Sequence, residues 1–228
     1  MVHCCAVSPF DTTVGTFAVG TNNGILIPDL NTHMVQKYQL NEKYPKYSVP
    51  GVVHAVEFLD HNTFLGGMEY GRIKLWDVRS KEHVFRIGHP SPIRSLKRAD
   101  CTERFIARGS QGHLNMYDLR FVKEEQKWPV VSHPYLTFPL QDQVETSRIG
   151  IDVSTELGLL AVGNLPSRLC LYNLKTAKSE GTMEVKSPHP PSTDAPSYPV
   201  HTIRFRNDPN GTPMMIVTNG GWILRLTL

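Results

Sequence analysis

The sequence predicts an all-β protein assembled from about five copies of one short four-stranded unit. Two observations carry that expectation. Residues 64–79 read as a strand, a tight turn at Tyr70-Gly71 and a second strand ending in Trp76-Asp77-Val78-Arg79, and residues 105–120 repeat the block, ending in Tyr117-Asp118-Leu119-Arg120. Gly71 to Asp77 is six positions, and so is Gly112 to Asp118. Within the block, Arg72 to Trp76 alternate polar and apolar, the period of a half-buried strand, and nowhere does an apolar period of 3.6 persist long enough for a helix. Self-similarity at a fixed period marks a repeat architecture.

Taken in order, the first unit has strands at 2–8, 15–21 and 25–27, with a further one at 35–40. Asn22-Asn23-Gly24 is expected to form a type I′ hairpin turn, because Asn and Gly accept positive φ. The second unit runs from a strand at 52–58 through the central hairpin to a fourth strand at 83–87. The third starts at 93–97, passes through Tyr117-Asp118 and finishes near residue 130. The fourth has strands at 148–153, 159–163, 168–173 and 181–185. The fifth has strands at 200–205, 214–218 and 222–228. The end of the third strand falls at Asp29, Asp77, Asp118, Asn173 and Thr227, spaced by 48, 41, 55 and 54 residues. The expected units are 1–44, 45–88, 89–133, 134–186 and 196–228. Residues 187–199 form an exposed loop, rich in proline, which cannot donate to a strand ladder.

Composition excludes several classes. The 228 residues carry a net charge of +3, too little to make a footprint for nucleic acid. Apolar runs stop at four or five residues, short of the ~20 that span a bilayer, and the N-terminus lacks the basic and apolar regions of a secretory signal. Cysteines at 4, 5, 101 and 170 show neither metal-ligand spacing nor a disulfide framework. An intracellular protein is expected, in nucleus, cytoplasm or both, with no metal, no cofactor and no membrane partner. Phosphate loops, nucleophile elbows and zinc motifs are absent, so no catalytic residue is assigned and the chain is not expected to be an enzyme.

Leu75-Trp76-Asp77-Val78-Arg79 and Met116-Tyr117-Asp118-Leu119-Arg120, with Gly88-His89 at a unit boundary, resemble the WD-repeat family. That resemblance implies a β-propeller of four-stranded blades, here partial or open, with about five blades and the last incomplete. Because the fifth unit stops at its third strand and the first starts with its own, the chain is expected to be part of a longer propeller, with an edge at 2–8 prone to self-association. The acidic residue usual before the turn glycine is displaced to Glu69 or replaced by Gln111. The family's His–Asp network is therefore not expected, and apolar packing should hold the blades together.

The aromatic-Asp-x-Arg pattern further resembles the box of WD-repeat substrate receptors of cullin-4 ubiquitin ligases. More loosely, blade order and C-terminal ending resemble the DDB- and cullin-4-associated factors of the WD-repeat protein twenty-one type. The resemblance implies that Arg79 and Arg120 help dock the propeller adaptor of the ligase, with Trp76, Asp77, Tyr117 and Asp118 completing the two boxes. Arginine suits such an anchor because its planar fork bonds bidentately and stacks on rings. The fourth unit has Tyr172-Asn173-Leu174-Lys175, and lysine lacks the fork. The alternative is a WD-repeat assembly module of another intracellular complex, such as RNA processing or trafficking.

Overall fold

The computed structural model describes residues 1–11, 15–30, 32–40, 51–80, 83–100, 103–123, 131–140, 149–164, 167–185, 199–219 and 222–227. Cys101, the end of the third unit near residue 130, and all but the last residue of the proline-rich 187–199 segment lie outside them. The chain divides into two compact units, Met1–Tyr135 and Leu136–Leu228.

In the first unit, β1 (Val2–Val7), β2 (Phe17–Thr21), β3 (Gly24–Pro28) and β4 (Val35–Gln39) form an antiparallel sheet in that order. β5 (Val53–Phe58), β6 (Thr63–Met68), β7 (Arg72–Asp77) and β8 (His83–Gly88) form the second. The third contains β9 (Ile93–Arg98), β10 (Arg104–Gly109) and β11 (Leu114–Asp118). Along the outer side of β11, the Tyr135 N–H donates to the Met116 carbonyl at 2.8 Å.

Side-chain caps set the turns. Asp60 accepts the N–H groups of Asn62 and Thr63 at 2.7 and 2.8 Å, the local bonding that favours Asp in turns. Between β2 and β3 the turn differs from the type I′ expectation. Asn22 and Asn23 keep negative φ, and the positive φ falls on Gly24, at 142°. Thr21 explains it: its hydroxyl receives the Asn23 N–H and donates to the Gly24 carbonyl, stabilising a different turn.

Sheets pack face to face through apolar side chains. Ala18, Ile25 and Tyr38 of the first meet Val53, Phe58, Phe64 and Trp76 of the second. On the other side of the second sheet, Leu65, Ile73 and Ile87 meet Ile93, Leu96, Phe105 and Tyr117. The adjacent glycines of β6 permit both approaches. A Cβ on Gly66 would stand 2.7 Å from Ile25 Cδ1 and from Trp76 Cζ3, and one on Gly67 would stand 2.2 Å from Ile93 Cγ2.

Because β7 is covered on both faces, its alternating polar residues do not all reach water. Lys74 is 1 % exposed, its ammonium 6.0 Å from the Trp76 ring centroid. Burial, reinforced by Arg72 and Arg86, pulls its pKa down to about 7. The half-buried strand expected from alternation is thus a core strand, since a sheet stacked on both sides has no solvent face.

The second unit holds β12 (Leu136–Thr137), a sheet of β13 (Ile151–Ser154), β14 (Leu159–Asn164), β15 (Arg168–Asn173) and β16 (Ser179–Glu184), and one of β17 (Val200–Asn207), β18 (Pro213–Asn219) and β19 (Trp222–Thr227). Ala161 and Leu169 pack on Val200, Ile203, Met215 and Val217. Asp152 bridges these sheets by accepting the Phe205 N–H at 2.9 Å. The architecture within each unit is that of β-propeller blades, all-β among the described residues, and the last sheet has three strands. Among those residues no helix is long and apolar enough to cross a membrane.

Candidate docking site

The two aromatic-Asp-x-Arg boxes fold alike. In each, the aromatic is the last but one residue of its strand and lies inside the core. Trp76 stacks on Phe64 at 5.6 Å with the planes 10° apart, and Tyr117 stacks on Phe105 at 5.5 Å and 26°. Such pairs contribute about 0.5–1.5 kcal/mol beyond area burial. The next residue but one is held from behind: the Val78 N–H donates to the Asn62 carbonyl at 2.7 Å, and that of Leu119 to the Glu103 carbonyl at 2.8 Å. Tyr38 of β4 ties the first box to the first sheet through its hydroxyl, which donates to the Val78 carbonyl at 2.9 Å.

Each aspartate then bends the chain and grips the arginine. Asp77 Oδ1 accepts the Arg79 backbone N–H at 2.9 Å and its Nε at 2.8 Å, while Oδ2 takes Nη2 at 2.5 Å. Asp118 repeats the pattern with Arg120 at 3.1, 2.9 and 2.6 Å. The guanidinium fork is thus oriented by its own turn. The Arg79 side chain is 72 % exposed and that of Arg120 50 %. These bonds stabilise the carboxylates. Asp77 drops to about 2, chiefly through the Arg79 side chain, and Asp118 falls well below the carboxylate range through Arg120 and then Arg104.

The boxes differ in what stands across the ladder. Thr63 faces Asp77 and turns its hydroxyl to Asp60, whereas Arg104 faces Asp118 and donates Nε to Oδ2 at 2.8 Å. Arg104 also reaches Asp100 through Nη1 at 2.9 Å. Arg104 was not singled out from sequence, although the signal is there: if Phe105 pairs with Tyr117, the residue before must face Asp118. In the second unit Asn173 makes the same turn, accepting the N–H of Lys175 at 3.0 Å, without a fork.

The displaced acid behaves as its position implies. Glu69 pairs with His54 and with Arg94 at 3.3 Å. His89 is buried, its Nδ1 2.9 Å from the Ser91 carbonyl, and lies edge-on to His113 and Tyr117. Burial draws its pKa down to about 4. His89 Nε2 and Trp76 Nε1 are buried without a hydrogen-bond partner. Among the described residues no group of three or more His, Cys, Asp or Glu could hold a metal ion.

No family model matches the chain. It is similar to the WD repeat-containing protein 55 homologs of Drosophila erecta and Drosophila yakuba, each 25 % identical over 150 residues, covering 65 % of this chain and 26 % of the relative. It is also 25 % identical over 198 residues to Restriction of telomere capping protein 1 of Candida dubliniensis, covering 77 % of this chain and 16 % of that protein. The chain spans about a quarter of the length of the protein 55 homologs it matches. Among solved structures, the computationally designed Ika8 protein superposes with a TM-score of 0.66 at 12 % identity, over 98 % of this chain and 57 % of that one; this likeness concerns fold alone.

Proposed function

From a likeness to WD-repeat proteins, which supports membership of that family and a protein-interaction scaffold, we propose that this chain is a substrate receptor that joins a cullin-4 ubiquitin ligase through its two aromatic-Asp-x-Arg boxes. Arg79 and Arg120 contact the propeller adaptor, Asp77 and Asp118 aim them, and Trp76 and Tyr117 fix the turns to the core. The observation that carries the reading is the shared geometry of the boxes: two exposed guanidinium groups, each clamped by the aspartate two residues before it. Pre-orientation lowers the entropy lost when a long side chain is fixed at an interface. Fold alone does not assign the role, since one propeller hosts many functions.

The test is capture of the purified adaptor by wild-type chain and by the double variant Arg79→Ala, Arg120→Ala. Loss of capture in the double variant supports the reading, and undiminished capture removes the arginines from it. Co-purification without cullin-4 components would favour an assembly module of another complex.

A further inference from the structure

In the first unit, the first strand of each sheet carries one residue too many for its partner. On β1, Val2 and Cys4 face Thr21 and Gly20, so His3 is extra. On β5, Val53 and Ala55 face Met68 and Gly67, which leaves His54; on β9, Ile93 and Ser95 face Gly109 and Arg108, which leaves Arg94. A bulge of this kind takes a side chain out of the ladder and re-aims it. Here the three bulged side chains meet. The His3 and His54 rings lie edge to face, with centroids 5.4 Å apart. His54 Nε2 pairs with Glu69, which also holds Arg94 Nη1 at 3.3 Å, and His3 Nε2 bonds Asn22 Oδ1. One row, Asn22–His3–His54–Glu69–Arg94, thus runs across all three sheets.

We infer that the His3–His54 pair is an acid-released latch, which holds β1 to β5 while both rings are neutral and drives them apart once both are charged. The charged and titratable groups facing His54 are Glu69, Arg94 and His3. With neutral rings, Glu69 and Arg94 balance. Each ring bonds an oxygen acceptor through Nε2, so Nε2 carries its proton and a second proton enters at Nδ1. Two such protons set like charges side by side, with Arg94 as a third cation and Glu69 as the one carboxylate among them. Histidine is the side chain that charges in mild acid. Burial lowers the His54 pKa, Glu69 opposes that shift, and Arg94 and His3 add to it. The folded pair therefore resists protonation, and the stability it contributes above the ordinary histidine pKa is lost as pH falls below it. The release falls on β1 rather than β9, because Glu69 goes on bonding both His54 and Arg94. The latch is independent of the docking reading: Glu69 follows the end of β6, whereas Asp77 faces Thr63 at its start.

The experiment measures hydrogen exchange of the full chain at pH 7 and pH 5, corrected for the intrinsic effect of pH on exchange. It compares β1 with β9 in wild type, His3→Gln and His54→Gln. Thermal unfolding at pH 7 is the folding control, and His3→Asn is a second variant at the partly exposed member of the pair. Between pH 7 and pH 5, protection of β1 is expected to fall roughly tenfold more than that of β9, the size set by two like charges about 5 Å apart near a protein surface. Each variant should abolish that excess, and salt at about 0.5 M should shrink it in wild type. Equal falls of β1 and β9 in wild type overturn the latch, as does an excess that survives in His3→Gln or is untouched by salt.

Discussion

Arg104 stands directly across the β10–β11 ladder from Asp118 and donates Nε to its Oδ2 at 2.8 Å, so one buried carboxylate serves two arginines, one on β10 and one in the turn after β11. Asp118→Asn keeps the size and removes the charge. The expected loss is about 1.5–3 kcal/mol, the range for hydrogen bonds to charged groups, because both arginines still reach water. Urea unfolding measures it; Asp77→Asn, with one arginine and an exposed turn, should lose less.

Gly66 is predicted to tolerate no side chain. Gly66→Ala places a Cβ between Ile25 and Trp76, each 2.7 Å away, and forces the first two sheets apart. Overpacking of this kind costs about 1–3 kcal/mol. A fall in melting temperature with unchanged strand content by circular dichroism is the expected outcome.

Acid should weaken the fold in two stages. His89 has a folded pKa of about 4, below the ~6.5 of an unfolded histidine. The unfolded chain therefore takes up this proton first, and stability that is full above about pH 6.5 is lost as pH falls toward 4. Asp118, also depressed, contributes stability above its ordinary carboxylate value that is lost below it, as pH falls through its folded pKa. His89→Gln should make the upper stage of a stability–pH profile shallower, with His54, also depressed by burial, contributing the remainder, and leave the lower stage.

Tyr38 joins the first sheet to the first box. Tyr38→Phe deletes the hydroxyl that donates to the Val78 carbonyl, with an expected cost of about 1 kcal/mol. Hydrogen exchange in residues 77–80 should accelerate more than in residues 118–122, which Tyr38 does not touch.

Much of the fold was legible from local pattern. Strand alternation, turn glycines and Asp-x-Arg ends mark the β6–β7 and β10–β11 hairpins, because these signals act within one hairpin. What escaped depends on partners distant in sequence. Lys74 reads as a surface residue until a second sheet covers its face. Asn22-Asn23-Gly24 reads as type I′ until the Thr21 hydroxyl is counted. In the site, the arginines and aspartates were visible as motifs. Their mutual clamp and the second arginine, at 104, required strand register.

Gly71, at φ 73°, receives the His89 N–H on its carbonyl at 2.7 Å, and a Cβ there would stand 2.3 Å from the His89 carbonyl oxygen. The bend after β6 is therefore buttoned to the chain as it leaves β8, and a longer bend would break that tie. Arg79 stands at the other end of β7, after Asp77, where the chain is not tied in this way.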